Sequence, residues 1–279
     1  MKNKIAIQGE LGAYSHLAAI EVFGKPEIKT CTTFEEAFQI ASKDESFKII
    51  IPIENSLAGR VADIHYLLPK YKLQIHGEHF QKVEHNLLVK KDAKLEDIKF
   101  VRSHSQAISQ CQKIINDRKF KTIVSADTAG SAKDLSESND KSIAAIASEL
   151  SAEIYNLKIL KKNIEDVEGN VTRFLIMGKN VVQPEYKKNT NYITTCIFRL
   201  KSEPSALYKS LGGFATNQIN LTRLESFSVK NTFDQVNFYL DFEGHLDAKP
   251  VQRAMEELGF HTEMLEILGV YESSKFRQN

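Results

Sequence analysis

The sequence predicts an α/β protein in which strand–turn–helix units are followed by a smaller βαββαβ module. Three observations carry that prediction. Short apolar runs such as "FKIIIPIEN" and "SIAAIA" recur, and many strand candidates lead through a polar turn into a helical pattern. That order marks strands joined by crossover helices in a parallel sheet. A polar stretch containing Pro184, "GKNVVQPEYKKNTNY", interrupts the series, and the element order changes after it.

The elements follow in order. "KIAIQG" is a short strand ending at Gly9, and "LGAYSHLAAIEVFG" takes helical spacing after Tyr14 and Ser15. "CTTFEEAFQIAS" is a helix opened by a capping box, Thr33 to Glu36. "FKIIIPIEN" is too apolar for a sheet with a wet face and reads as a buried strand. Asn55 and Ser56 then open "SLAGRVADIHYLL" as an amphipathic helix. "LQIHGEHFQKVEHNLLVKK" alternates and reads as extended crossover strands. "IKFVRSHSQAISQCQKIIND" is strand then helix, with Ser103 and Gln106 fitting an S-x-x-Q capping box. "KTIVSADTAGSAKDL" and "SIAAIASELSAEIYNL" repeat the strand–helix order, and "LKILKKNIEDVEGNVTRFLIMG" returns to strand. The boundary falls at residues 181 to 190. Beyond it come strand 192–200, helix 204–216, strands 219–229 and 234–243, helix 247–258 and strand 261–271, the ferredoxin-like order. A module of about 80 residues commonly needs a partner to complete its burial.

Composition narrows the function classes. A chain of 279 residues fits two domains, and 42% hydrophobic with 26% charged residues is ordinary globular composition. Lys plus Arg number 37 against 36 acidic residues, so no field recruits nucleic acid or an anionic membrane. Three scattered cysteines without CxxC spacing argue against a disulfide framework or structural zinc. No run approaches the roughly 18 apolar residues of a membrane span, and the N-terminus lacks an apolar leader core, so the expectation is a soluble cytoplasmic protein. His76 and His79 in "HGEHF" face opposite ways in an extended segment, which is poor metal geometry. Cys111 has no His–Cys arrangement beside it and reads as packing.

Polar residues gather where strands turn into helices: Ser15, Asn55–Ser56, Ser103 and Asp127–Thr128. Each is either a plain N-cap or part of an anion site at a helix N-terminus. Four at one sheet edge coincide with the place where open α/β sheets bind ligands. "EGNVTRFLIMG" adds a hydroxyl, a guanidinium and an aromatic ring at the mouth of a buried strand.

The motifs together resemble the prephenate dehydratase family with a C-terminal ACT domain. "QGELGAYSHLAA" is similar to the family's opening Gly–Ser–Ala motif, and "PIENSLAGRV" (Pro52 to Val61) to P-x-E-N-S-x-x-G-x-V. "SHSQAISQC" resembles S-H-P-Q-A-x-x-Q-C with Ser105 in place of Pro, and Thr172-Arg173-Phe174 resembles the signature T-R-F. "INLTRLES" is similar to the ACT region. The resemblance implies a two-lobed catalytic domain like type II periplasmic binding proteins at residues 1–180, with lobe one at about 1–78 plus 160–180 and lobe two at about 79–159. A linker at 181–190 and an ACT domain at 191–279 follow.

The implied activity is decarboxylating dehydration of prephenate to phenylpyruvate, a hydro-lyase step in phenylalanine biosynthesis. Aromatisation drives it, so no cofactor and no metal are expected. A cation fixed on the ring carboxylate would hold the charge that must leave, so neutral donors suit the site. By resemblance Thr172 donates to the leaving hydroxyl, and Asn55, Ser103 and Gln110 bind and orient the substrate. Ser15, Ser56, Gln106 and Thr128 line the cleft. Arg173 either holds the side-chain carboxylate or forms a structural ion pair, Phe174 is either core or a ring contact, and Glu54 either cap or cleft. Arogenate as substrate, and a non-enzymatic two-lobed sensor, remain open alternatives.

In the ACT region the resemblance points to Ala206, Leu207, Asn220, Leu221, Glu225 and Ser226 as the sensing residues for phenylalanine at a subunit interface. Ser205 replaces the Gly of G-A-L, and Phe227-Ser228 replace Arg-Pro of E-S-R-P, which predicts inhibition that is weakened or absent. Apolar strand positions Ile193, Ile197, Val236 and Phe238 are expected to drive pairing into a homodimer or homotetramer.

Overall fold

The computed structural model describes residues 2–60, 64–180, 182–229 and 235–278. They fall into two compact units: Met1–Ile40, Ser46–Ala62 and His79–Phe174 in one, Ala41–Glu45, Asp63–Glu78 and Leu175–Asn279 in the other.

The chain begins with β1 (Lys4–Gln8), α1 (Tyr14–Phe23), β2 (Glu27–Cys31), α2 (Phe34–Lys43), β3 (Phe47–Asn55), β4 (Gly59–Arg60), α3 (Leu67–Tyr71) and β5 (Gln74–Lys82). It continues through β6 (Asn86–Val89), β7 (Phe100–His104), α4 (Ser105–Ser109), α5 (Gln112–Arg118), β8 (Lys121–Ser125) and α6 (Thr128–Glu137). Then come β9 (Ile143–Ala147), α7 (Glu149–Ile154), β10 (Lys158–Lys161) and β11 (Val171–Gly178).

Two sheets result. The first runs β2-β1-β3-β11-β5 with β4 attached to β3, and β1 is parallel to both β2 and β3. The second runs β10-β6-β9-β7-β8, parallel from β9 through β7 to β8 and antiparallel at β6 and β10. The sheets are therefore mixed, each with a run of three parallel strands that reaches one edge. β6 follows β5 without a crossover helix because the chain passes there from the first sheet to the second, where β6 pairs antiparallel with β9 and β10. Ile5, Ala6 and Ile7 in β1 and Ile49, Ile50 and Ile51 in β3 are fully buried, as strands covered on both faces must be. Each such Ile contributes about 1.5–3 kcal/mol of transfer free energy. β9 is built of Ala144, Ala145, Ile146 and Ala147, and its small side chains pack beneath Ala132 and Leu135 of α6. β2 has no counterpart in the sequence reading, because an edge strand alternating Glu, Lys and Thr carries little apolar signal.

Two expectations are corrected. The helix expected from Ser56 does not start there: residues 56–60 are turn and strand, and among the described residues of the expected span only Leu67 and Leu68 are helical, at the start of α3. Asn55 Oδ1 accepts from the backbone N–H groups of Leu57 (3.0 Å) and Ala58 (2.9 Å), as a helix N-cap would. Gly59 then adopts φ +71 and turns the chain back, pairing Gly59 with Asn55 and Arg60 with Glu54. Val61, Ala62 and Asp63 of the same expected helix lie outside the described residues. The other correction is the capping box at Ser103. That residue is still strand, and His104 is the N-cap of α4, its Nδ1 accepting from Gln106 N at 3.3 Å.

The second unit contains β12 (Tyr192–Leu200), α8 (Ala206–Thr216), β13 (Leu221–Ser228), β14 (Val236–Glu243), α9 (Lys249–Phe260) and β15 (Thr262–Glu272). Its antiparallel sheet has the order β13-β14-β12-β15, the ACT-like βαββαβ arrangement. Residues 230–234, which include the expected start of the strand at 234, lie outside the described residues. Phe198, Leu240 and Phe242 of the sheet pack with Phe214 of α8 and Val251, Ala254 and Leu258 of α9. A Cβ on Gly213 would stand 3.0 Å from Ala254 Cα, so the two helices need glycine there. On the opposite face Ile193 and Ile197 are fully buried within this unit, and Gly269 lies against the Ile75 carbonyl. Those two isoleucines therefore do not form a subunit surface as the sequence reading expected, whereas Val236 remains exposed. No helix among the described residues is long and apolar enough to cross a membrane.

Candidate active site

A cavity of about 300 Å³ opens between the two sheets of the first unit. Strand ends and helix starts supply its walls: Gln8, Tyr14, Ser15, Asn55, His85, His104, Gln106, Gln110, Asp127, Thr128, Asn170, Thr172 and Phe174 are all at its lining.

Among the described residues, three ten-residue helices start at its wall and differ electrostatically: α2 opens at Phe34 with Glu35 and Glu36 in its first turn. α6 is capped by its own Asp127, whose Oδ1 accepts from Gly130 N at 2.6 Å, so a carboxylate already occupies that end. α1 has no side-chain cap and no acidic residue in its first turn, so the positive end of its dipole is not neutralised by its own side chains. The loop before α1 is clamped to the other lobe. Ser148 and Ser151 donate to the Gly12 carbonyl at 2.6 and 3.0 Å, and Glu10 pairs with Lys133 at 3.0 Å. Gly12 has φ +92, and a Cβ there would meet Ser151 Oγ at 2.5 Å, so the closure depends on glycine.

A chain of hydrogen bonds crosses the cavity wall. Asn55 Nδ2 donates to Asn170 Oδ1 at 2.6 Å and to Thr172 Oγ1 at 3.0 Å. Asn170 Nδ2 donates to Gln110 Oε1 at 2.9 Å, and His85 Nε2 lies 2.9 Å from the same oxygen. His85 Nδ1 is 3.0 Å from the Tyr14 hydroxyl, which also reaches the Glu84 carbonyl at 2.7 Å. The direction of each amide hydrogen bond is fixed from one end. Two backbone N–H groups hold Asn55 Oδ1, so its NH₂ must face Asn170 and Thr172. Asn170 is then oriented oxygen toward Asn55, and its NH₂ meets Gln110 Oε1. Thr172 Oγ1 thus accepts a hydrogen bond, and its own proton has no acceptor among the described residues.

Local structure places these groups. α4 and α5 are separate because Asp166 caps α5, accepting from Gln112 N at 2.7 Å and Lys113 N at 2.9 Å. Gln110 sits in the break as the C-cap of α4. Burial, then the charges of Glu165 and Glu84 and the Cys111 thiol beside it, push the Tyr14 phenol well above its usual range. Burial lowers His85, against opposing effects of Gln110 and Glu165. Cys111 is fully buried, and its thiol is pushed up by that burial.

The structure brings Thr172, Asn55, Gln110, Ser15, Gln106, Thr128 and Phe174 to the cavity. Three other expected residues lie outside its lining. Ser103 is fully buried, with its hydroxyl donating to the Ile146 carbonyl at 2.7 Å. Ser56 is exposed, with its hydroxyl donating to the Gly169 carbonyl at 3.3 Å and accepting from Val171 N at 3.0 Å. Arg173 is buried and pairs with half-exposed Glu54 at 3.7 Å. In the second unit Ala206 is buried at the start of α8, and its N-cap Ser205 is left-handed (φ 62). Leu207 packs on the helix-side core, Asn220 accepts from Glu243 N at 2.9 Å, and Leu221 opens β13. Glu225 meets Arg223 at 2.5 Å and His65 at 3.2 Å, and Ser226 is exposed. Sequence reasoning passed over Tyr14 as a site residue and His85 altogether. The signal for His85 was present: "VEHNLL" puts a histidine at the polar mouth of an apolar strand.

A family model described as "Prephenate dehydratase" matches residues 5–182. A "Bifunctional N-acyl-homoserine lactone acylase/prephenate dehydratase" of Komagataeibacter europaeus is 42% identical over 276 residues, covering 98% of this chain and 97% of the relative. "Arogenate dehydratase/prephenate dehydratase 1, chloroplastic" of Arabidopsis thaliana is 36% identical, over 97% of this chain and 72% of its own length. The crystal structure of prephenate dehydratase in complex with L-Phe from Arthrobacter aurescens superposes with a TM-score of 0.87 at 26% identity, over 99% of this chain and 91% of that one. With the family model spanning both lobes and the Komagataeibacter relative matched almost end to end, this chain belongs to the prephenate dehydratase family: it is a hydro-lyase that converts prephenate to phenylpyruvate, releasing carbon dioxide and water.

Proposed function

We propose that Thr172 is the hydrogen-bond donor to the hydroxyl that leaves prephenate, and that Asn55, Asn170 and Gln110 orient the substrate around it. The observation that carries this reading is the direction of the Asn55–Thr172 bond. Asn55 donates to Thr172 Oγ1 at 3.0 Å, which leaves the threonine proton for the cavity. As the ring carboxylate departs as carbon dioxide, its bonding electrons enter the ring and expel the hydroxyl opposite. Charge builds on that oxygen, and a donor preorganised in a dry wall strengthens as it does so. A threonine hydroxyl is a weak acid, so it stabilises the departing oxygen, and one proton from solvent completes the water. The other carboxylate, which stays with the product, takes the N-terminus of α1 beside Ser15. Neutral amides elsewhere leave no fixed cation on the carboxylate that must leave.

Thr172→Ala tests the role in a phenylpyruvate assay. The turnover number is expected to fall about 10²- to 10³-fold with little change in KM, with partial activity in Thr172→Ser. Near-native turnover in Thr172→Ala removes the assignment.

Arogenate is a second substrate reading, and Asp127 favours it. This is the carboxylate among the lining residues, and arogenate carries an ammonium where prephenate carries a keto oxygen. Competition between the two substrates, repeated with Asp127→Asn, decides it. We also infer residues 1–180 as the catalytic domain and 191–279 as the ACT domain, a homodimer or homotetramer, and phenylalanine inhibition weakened by Ser205, Phe227 and Ser228.

A further inference from the structure

We propose that His85 is a positioning residue for catalysis: its Nε2–H donates to Gln110 Oε1 and holds that amide with its NH₂ group toward the substrate. The inference rests on the reading of Gln110 as a substrate donor. His85 is 2% exposed, so a solvated surface role does not account for its hydrogen bonds. Its Nε2 lies 2.9 Å from Gln110 Oε1, the oxygen that also accepts from Asn170 at 2.9 Å.

A Gln side chain unconstrained at a cavity wall turns over freely, exchanging its oxygen and nitrogen. Here two donors converge on one end. Turning Gln110 over would bring its NH₂ against the NH₂ of Asn170. Asn170 cannot yield, because Asn55 Nδ2 faces its oxygen at 2.6 Å and Asn55 is itself held by Leu57 N and Ala58 N. Gln110 Oε1 is therefore fixed toward His85, and the imidazole nitrogen facing it must carry a proton. The Gln110 NH₂ group has no acceptor among the described residues, and Gln110 lines the cavity. The far nitrogen of His85 meets the Tyr14 hydroxyl at 3.0 Å. A neutral ring accepts there from the phenol, which then turns its one proton away from the Glu84 carbonyl at 2.7 Å, and a doubly protonated ring donates to the phenol, which keeps that carbonyl bond. Either way Nε2 keeps its proton, so the grip on Gln110 survives a change of charge on His85.

The backbone N–H of His85 donates to Glu165 Oε2 at 2.9 Å, and the next residue, Asp166, donates its N–H to the Gln110 carbonyl at 2.7 Å. One short segment thus anchors both partners of the contact, which fixes their separation through the main chain as well as the side chains.

The test combines spectroscopy of the native protein with kinetics of variants. In protein labelled with ¹⁵N at histidine, the His85 resonance is expected to show Nε2 protonated across the neutral range. A ring protonated at Nδ1 alone overturns the proposal without any mutant. In kinetics with prephenate, His85→Leu is expected to lower kcat/KM about tenfold or more, an effect of order one lost hydrogen bond. His85→Gln, whose amide N–H reaches the position of Nε2, is expected to recover most of the loss. In a Gln110→Ala background His85→Leu is expected to cost nothing further, because it acts through Gln110. A full additional loss in that background, or no rescue by His85→Gln, overturns the positioning role. Native activity in Gln110→Ala alone overturns the donor reading of Gln110 and this inference with it, whereas a loss there with native His85→Leu overturns only the inference.

Discussion

Asn55 Nδ2 stands 3.0 Å from Thr172 Oγ1, and two backbone N–H groups prevent Asn55 from presenting its oxygen instead. The consequence is a threonine that accepts from the protein and can donate to a ligand.

That direction is tested by an isosteric change. Asn55→Asp keeps the shape and still accepts from Leu57 and Ala58, but a carboxylate has no N–H to give. It would instead take the Thr172 proton and add a negative charge beside a dianionic substrate. We expect kcat/KM to fall by about 10²-fold or more, the cost of one lost preorganised donor, and the melting temperature to fall as well, because the carboxylate faces Asn170 Oδ1 where Nδ2 stood 2.6 Å from it. Activity near native in Asn55→Asp would mean that the direction of this bond is immaterial.

Ser103 stands in a family-like motif, yet its hydroxyl is committed to the Ile146 carbonyl in the sheet. Ser103→Ala is expected to cost about 1 kcal/mol of stability, the typical worth of a buried neutral hydrogen bond. Its turnover and KM for prephenate should remain near native. A selective fall in turnover with an unchanged denaturation midpoint would return Ser103 to the catalytic set.

His16 gives the protein an acid-side dependence. Its Nδ1 accepts from Gly12 N at 3.1 Å, and burial lowers its pKa below the usual 6.5. The unfolded chain therefore binds the proton first as pH falls. The contribution of His16 is intact above its unfolded pKa, and it is lost as pH drops from there through the lower folded value. Protonation also removes the acceptor that holds the Gly12 loop. Denaturation midpoints measured downward from pH 7 should decline, and His16→Asn should flatten that decline. An unchanged slope in His16→Asn would place the acid sensitivity elsewhere.

Ser205 occupies a left-handed conformation (φ 62) at the start of α8, where the family motif has glycine. An L-residue there costs about 1–2 kcal/mol, whereas glycine adopts it freely. We expect micromolar phenylalanine to inhibit the native protein weakly and Ser205→Gly to become more sensitive, as read from inhibition curves of phenylpyruvate formation. Strong inhibition of the native protein at that concentration would show that the altered motif suffices.

The sequence by itself determined the α/β class, the order of the six C-terminal elements and the strand ends that carry Asn55 and Thr172. Those features are local: apolar periodicity, polar turns and capping chemistry act over a few residues, so they are legible in one dimension. The tertiary structure decided the rest. Asn55 accepts from i+2 and i+3 in a helix cap and in a tight turn alike, and only Gly59 at φ +71 with β3–β4 pairing selects the turn. Ile193 and Ile197 read as an available apolar face until the fold covers them within their own unit. Ser103 and Thr172 are both hydroxyls at strand ends, but a sheet carbonyl takes the proton of Ser103, whereas the Thr172 proton has no acceptor among the described residues. The amide chain joins residues separated by 60, 115 and 117 positions. Hydrogen-bond direction across such distances is set by which group each neighbour has already satisfied, and that exists only once the chain is folded.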